Sequence, residues 1–458
     1  MPVEQAIADE VSLGRPGLRS NVLSPVETLS QSISAIAPTT SPALTVPLVF
    51  ALAGNGTWLA YLFASGATLL MALCIARFAK TSASPGSLYK FATDSLPPSA
   101  GYIAAWALLL AYISTGASVV GGFINFAHVL MPWTQSVSAP LLALGVTGVA
   151  TALAFRNVQT SARLMLLIEA VSVSLIVIVI CTLLARNGLH IDQPQVHLEH
   201  VTASGVRLGV VLALFSFVGF ESATTLGHEA RNPLRTIPRA VVLSAVLAGI
   251  FFVMCCYTET LEFHKVQRDL GASQAPFRTL AAIAGIPLLG TCIDTGALIS
   301  MFACTLACVM AAARVLMQMA GNNLVPASFG RTHRRNETPH LASLAMGLVV
   351  FGLPACLAAR GASGADIYGW MGSLAVYGFI TVYLLVAAAL PVYLRRRREC
   401  TALSVGLSII AGIAMMLAMA GTLYPVPDSP YNWLPYIYVG YLGAGLLCIR
   451  VWRRASKT

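Results

Sequence analysis

Apolar residues fill this chain in blocks of about 20 or more, separated by short polar connections, and a helix of ~20 apolar residues is long enough to cross a ~30 Å hydrocarbon layer. The pattern predicts spans at about 27–54, 57–79, 99–131, 138–155, 162–185, 206–227, 237–259, 286–320, 340–360, 366–394, 401–424 and 434–452. The longest polar stretches leave no room for a soluble domain. The expected architecture is therefore an all-α polytopic membrane protein of about twelve transmembrane helices. The first residues, MPVEQAIADEVSLGRPGLRS, are mixed and polar with no apolar signal core, so the first span is expected to direct insertion.

Two spans interrupt their own pattern. The first reads SQSISAIAPTTSPALTVPLVF, with Pro38, Pro42 and Pro47 around a polar Thr39-Thr40-Ser41 cluster. Proline removes a backbone donor and clashes with the preceding turn, so unwinding is expected near Ile36–Pro42. The sixth reads LGVVLALFSFVGFESATTLGHEA and carries Gly219 and Glu221 near its middle, which predicts a break at Phe217–Glu221. Open backbone at membrane depth is tolerated only where protein or a water-filled cavity satisfies it. If the first ten helices form two five-helix halves, spans one and six are counterparts. Interrupted helices in corresponding positions then mark a transporter's midplane site.

Composition narrows the class. The chain has 458 residues, 57% of them hydrophobic and 10% charged, against about 25% charged in soluble domains. The net charge of +10 belongs to basic connections at 77–90, 156–163, 228–239, 314–340 and 395–398. Those sit on one side if both termini are cytoplasmic, as the positive-inside rule requires. Nucleic acid is not an expected partner; the partners are the lipid bilayer and a small molecule. The ten cysteines lie almost all in apolar runs, with no CxxC or Cys/His spacing. Neither a metal nor a cofactor is expected, and Cys304 and Cys308 read as packing. His190, His197 and His200 read as solvated loop residues. Asp294 and Asp366 read as interfacial.

The run FSFVGFESATTLGHEARNPLRTIPRAV resembles the amino acid–polyamine–organocation (APC) permeases, whose sixth helix has a similar aromatic–Gly–aromatic–Glu break followed by an acidic–x–x–Asn–Pro loop. SPGSLYKFATDSLPPSAGYIAAWALLLAY and AAARVLMQMAGNNLVPASFGRTHRRNETPH resemble two further stretches of that family, in the expected order. The resemblance implies a LeuT-type 5+5 inverted repeat plus two C-terminal helices. Residues 1–25 would form a cytoplasmic segment and 26–400 a ten-helix core, with repeats at about 26–186 and 205–394. Residues 401–458 would supply two extra transmembrane helices and a short cytoplasmic tail, and the protein would sit in the cell inner membrane.

The implied function is secondary active transport of an amino acid by alternating access, with proton-coupled import as the leading expectation. The alternatives are an amino acid or amine exchanger and a polyamine- or ethanolamine-type carrier. An integral membrane enzyme is disfavoured, because no nucleophile–base pair or metal cluster is present. Carried onto this chain, the substrate carboxylate would meet Thr39, Thr40 and Ser41. The ammonium would meet carbonyls near Ala35, Ile36 and Ala37 and near Phe215, Phe217, Val218 and Gly219. Phe215 would be the aromatic gate. Many family members have a Gly-Ser-Gly type break where this chain has Ala-Pro-Thr-Thr-Ser-Pro, and Pro38 supplies no N–H, so hydroxyls must do more of the anion binding. For the coupling ion, Glu221 reads as a proton site or a brace of the break. Glu169 reads as a second proton site or a helix-pairing group. With sodium instead, first-helix carbonyls and Ser300 or Thr305 would be the ligands.

Overall fold

A computed structural model describes residue 18 and residues 20–156, 158–187, 191–273, 275–424, 426–427 and 429–455. Arg15, Arg19, His190 and Lys457 fall outside them. Among the described residues the chain is all α-helical, with one isolated bridge, Leu23 to Ala230, and no strand.

The helices follow the expected spans closely. They are α1 (Pro25–Ile36), α2 (Val46–Ala53), α3 (Thr57–Ala79), α4 (Ser87–Ser95), α5 (Pro98–Leu130), α6 (Ala139–Ala154), α7 (Val158–Asn187) and α8 (Ala203–Phe215). After them come α9 (Pro233–Lys265), α10 (Pro276–Ile283), α11 (Pro287–Gly321), α12 (His340–Ala359), α13 (Gly364–Arg396), α14 (Ala402–Leu423) and α15 (Leu434–Ala455). Nine helical stretches among the described residues are long and apolar enough to cross a membrane. The first, Pro25–Ala79, contains two of the expected spans, and the shorter apolar helices α6 and α8 match the other two. The chain is a multi-pass membrane protein. Helices α4 and α10 lie in connections that the hydropathy pattern left unassigned.

Proline starts many of these helices. Pro25, Pro98, Pro233, Pro276 and Pro287 all occupy a first turn, where a missing N–H costs nothing. Helix α1 also has a reciprocal cap: Glu27 N–H donates to Ser24 Oγ, and Ser24 N–H donates to Glu27 Oε2 at 2.8 Å.

Helix α5 is the central pillar, packed extensively against α13 and α11, while α9 lies along α3. Small residues let these backbones close up, as expected for helices that gain nothing from burying apolar surface away from lipid. A Cβ on Gly121 would stand 2.8 Å from Gly364 O, and one on Gly122 would stand 3.3 Å from Met301 Sδ. Asp294 is buried near the start of α11 and holds Arg278 of α10 at 2.7 Å. Asp366 instead caps α13 at an exposed position.

Candidate functional site

Helix α1 ends at Ile36 because Ala37 turns into the left-handed region (φ 51°) and donates its N–H back to Ile33 and Ser34 carbonyls. Pro38 follows without a donor. The chain resumes through Ser41–Thr45, wound one residue wider than an α-helix, and then enters α2. The unwinding lies where the prolines placed it. It leaves buried hydroxyls behind: the side chains of Ser34, Thr39 and Thr40 have no hydrogen-bond partner.

The sixth span stops being α-helical after Phe215. Tight turns carry it through Ser216–Glu221, with Gly219 at φ 96°, and a short 3₁₀ stretch covers Ser222–Leu226. Gly219 meets the first break directly. A Cβ there would sit 2.7 Å from Ala35 Cβ and 3.0 Å from Ala35 O. Two further bonds join the broken elements: Ser222 Oγ donates to Gln31 O at 3.2 Å, and Ala223 N–H donates to Ser32 Oγ at 3.0 Å.

A small cavity opens beside this contact. Ala35, Ile36, Ala37, Thr40 and Ser41 form one wall, and Phe215 and Val218 form another. Thr115 and Val119 of α5, Cys304 of α11 and Tyr368 of α13 complete it. Among the described residues no acidic side chain lines it. Phe215 stands edge-on to Tyr368, with ring centroids 5.6 Å apart, and Tyr368 is anchored by its hydroxyl to Thr45 Oγ1 at 2.8 Å. Phe217 turns elsewhere, into an apolar cavity with Thr68, Met71 and Tyr383, against Phe252 at 5.2 Å. Thr39 is buried beside the first break but does not line the cavity.

The two acidic candidates have different surroundings. Glu221 is fully buried, and both of its oxygens accept hydrogen bonds: from Tyr112 of α5 at 2.9 Å and from Tyr383 of α13 at 2.7 Å. Glu169 of α7 is also buried, but it accepts from a single hydroxyl, Ser300 Oγ of α11, at 3.0 Å from each carboxylate oxygen. One turn further along α11, Cys304 donates its thiol to Ala35 O of the first break at 3.3 Å. Glu169 and Ser300, far apart in sequence, thus meet next to that break. Thr305 spends its hydroxyl on Met301 O within its own helix.

The paired breaks, the cavity between them and the all-helical frame coincide with a family match. The chain matches the amino acid permease family over residues 28–452. It belongs to that family. Relatives of this family member include the cationic amino acid transporter 4 of Mus musculus, 26% identical over 73% of this chain and 54% of the relative. The low-affinity putrescine importer PlaP of Escherichia coli is 28% identical over 65% of this chain and 66% of the relative. The branched-chain amino acid permease BcaP of Bacillus subtilis is 23% identical over 64% of this chain and 65% of the relative. The chain spans about half the length of the cationic amino acid transporters it matches. The family and these relatives are permeases and transporters rather than enzymes.

Sequence reasoning missed the tyrosines of this family member's site: Tyr112, Tyr368 and Tyr383. A signal existed, because a tyrosine inside an apolar span needs a partner for its hydroxyl. The pattern did not say which partner.

Proposed function

We propose that this chain moves small neutral amino acids across the cytoplasmic membrane by alternating access, coupled to a proton through Glu169. The observation that carries the reading is the contact between the two breaks, Gly219 on Ala35, beside a cavity that holds the unpartnered Thr40 hydroxyl and, among the described residues, no acid. Two facing helix interruptions can present polar groups to a carboxylate and an ammonium. In this reading the hydroxyls of Thr40 and Ser41 meet the carboxylate. Carbonyls of Ala35–Ala37 and Phe215–Val218 meet the ammonium through their remaining lone pairs, with Phe215 and Tyr368 beside them.

The relatives' names cover cationic amino acids, branched-chain amino acids and putrescine. A substrate with a second positive charge calls for a carboxylate in the cavity, and none lines it. The void holds about one water molecule, so substrate entry must displace side chains, and a small or branched apolar side chain asks the least.

Glu169 is the better coupling group because a single shared serine hydroxyl leaves its oxygens under-supplied, whereas Glu221 is held by two tyrosines. Proton exchange at Glu169 reaches the first break through Ser300 and the Cys304–Ala35 contact. We further read residues 26–400 as the ten-helix core of two repeats, with both termini cytoplasmic.

Purified protein in vesicles, given labelled leucine, alanine, arginine or putrescine over a range of external pH with and without sodium, tests this. The expected result is uptake of the neutral amino acids, stimulated by external acid and indifferent to sodium, with Glu169→Gln losing the pH dependence. Preferred uptake of arginine or putrescine would defeat the substrate reading. A strict sodium requirement would defeat the coupling.

A further inference from the structure

Glu259 lies one helical turn beyond Cys255 and Cys256 on α9, with no exposed surface. Neither of its carboxylate oxygens has a hydrogen-bond partner, and the hydroxyl of its neighbour Thr260 has none. The helix face that carries it is set by packing. Gly249 lies against Ser65 of α3, and Phe252 lies against Tyr61 with rings 5.9 Å apart. Residues 252, 256 and 259 follow one another up that face at helical spacing.

Three cations of this region are engaged elsewhere. Lys265 holds Glu262 at 2.8 Å, His264 faces Asp192 at 3.0 Å, and Arg278 of α10 holds Asp294 at 2.7 Å. From α3 the titratable neighbour is Tyr61, and from Glu259's own helix they are Cys255 and Cys256. Helix α1 contributes Glu27, committed to Arg163. The Ser222–Leu226 stretch and the Ser41–Thr45 segment contribute no ionisable side chain. Beside them, Glu221 is committed to Tyr112 and Tyr383.

An unpaired carboxylate buried among such groups is costly as an anion. A proton removes that cost without any other partner. Tyr61 connects this position to the transport machinery, since its hydroxyl lies 3.0 Å from Ser216 Oγ, the first residue of the sixth-span break.

We propose that Glu259 is a proton-binding site whose occupancy sets the state of the sixth-span break through Tyr61 and Ser216. The proton stays while the site is buried, as here. It leaves when the α3–α9 seam opens to water and the Tyr61–Ser216 contact parts. The site is separate from Glu169 and rests on the transporter reading only for its purpose, not for its chemistry.

The test needs no transport. Infrared spectra of the purified full chain, taken across neutral pH, report the carbonyl stretch of protonated carboxylic acids. Hydrogen exchange of the segment around Ser216, corrected for intrinsic pH dependence, reports opening of the break. The wild type is expected to show a carboxylic-acid band that Glu259→Gln removes and Glu259→Asp keeps. Opening of the break should rise with pH in the wild type and become flat in Glu259→Gln. Tyr61→Phe should keep the band and lose the link to exchange.

Unchanged bands in Glu259→Gln would overturn the assignment, as would exchange that keeps its full pH response or a site filled by sodium at fixed pH. A chain that folds, shows the band and moves no amino acid defeats the transport reading and leaves the proton site standing.

Discussion

Gly219 meets two demands that no other residue type meets together. Its backbone sits at φ 96°, where side chains are strained, and Ala35 occupies the space a Cβ would need. Gly219→Ala should therefore cost roughly 1–3 kcal/mol from strain and overpacking and push the two breaks apart. Lower thermal stability of the purified protein and a several-fold loss of uptake are expected. Uptake at wild-type rates would mean that the contact between breaks is incidental. Thr40 makes a related point, since its hydroxyl is buried at the cavity wall without a partner, a free-energy cost that a bound ligand would relieve.

The broken sixth span is anchored to its neighbours. Glu221 sits just after the break and accepts from a tyrosine on α5 and another on α13, which fixes the loose segment to two long helices. Glutamine keeps one acceptor oxygen but turns the other position into a donor facing a tyrosine hydroxyl. Glu221→Gln should thus lower stability by about 1–3 kcal/mol, the cost of leaving a buried polar group mismatched. The pH dependence of uptake should survive. Its disappearance in this variant, with Glu169→Gln left normal, would move the coupling from α7 to the sixth span.

Across the whole molecule, the polar segment ahead of α1 is tied to distant parts of the chain. Val22 and Leu23 donate backbone N–H groups to Glu229 O at 2.9 Å, and Arg231 N–H donates to Leu23 O at 2.8 Å. Glu229 also takes a two-pronged bond from Arg314 of α11 at 2.7 Å on each prong, with both side chains buried. Glu27 pairs with Arg163 of α7 at 2.7 Å, but that arginine side chain is 69% exposed. Burial decides which pair matters. Arg314→Met leaves Glu229 charged and unpaired, a loss of about 3–5 kcal/mol, whereas Arg163→Met should cost about 0–1 kcal/mol after solvent screening. Thermal unfolding of the two variants should separate them clearly. Equal shifts would show that the Glu229–Arg314 bond carries no special weight.

The sequence by itself determined the twelve apolar spans, their near-correct ends and the two interruptions, because hydrophobic length and proline or glycine chemistry are local properties. It also named Glu169 and Ser300 as coupling candidates, although it offered no reason for them to meet. Only the tertiary structure decided which groups share a site. Helices α5, α11 and α13 come from separate parts of the chain, so the bonds of Glu221 to Tyr112 and Tyr383, and of Cys304 to Ala35, have no trace in local pattern. Glu259 shows the same limit. On the sequence it is an acid at the end of an apolar run, like Asp366, which caps its helix in the open. Packing of α9 against α3 buries Glu259 without a partner.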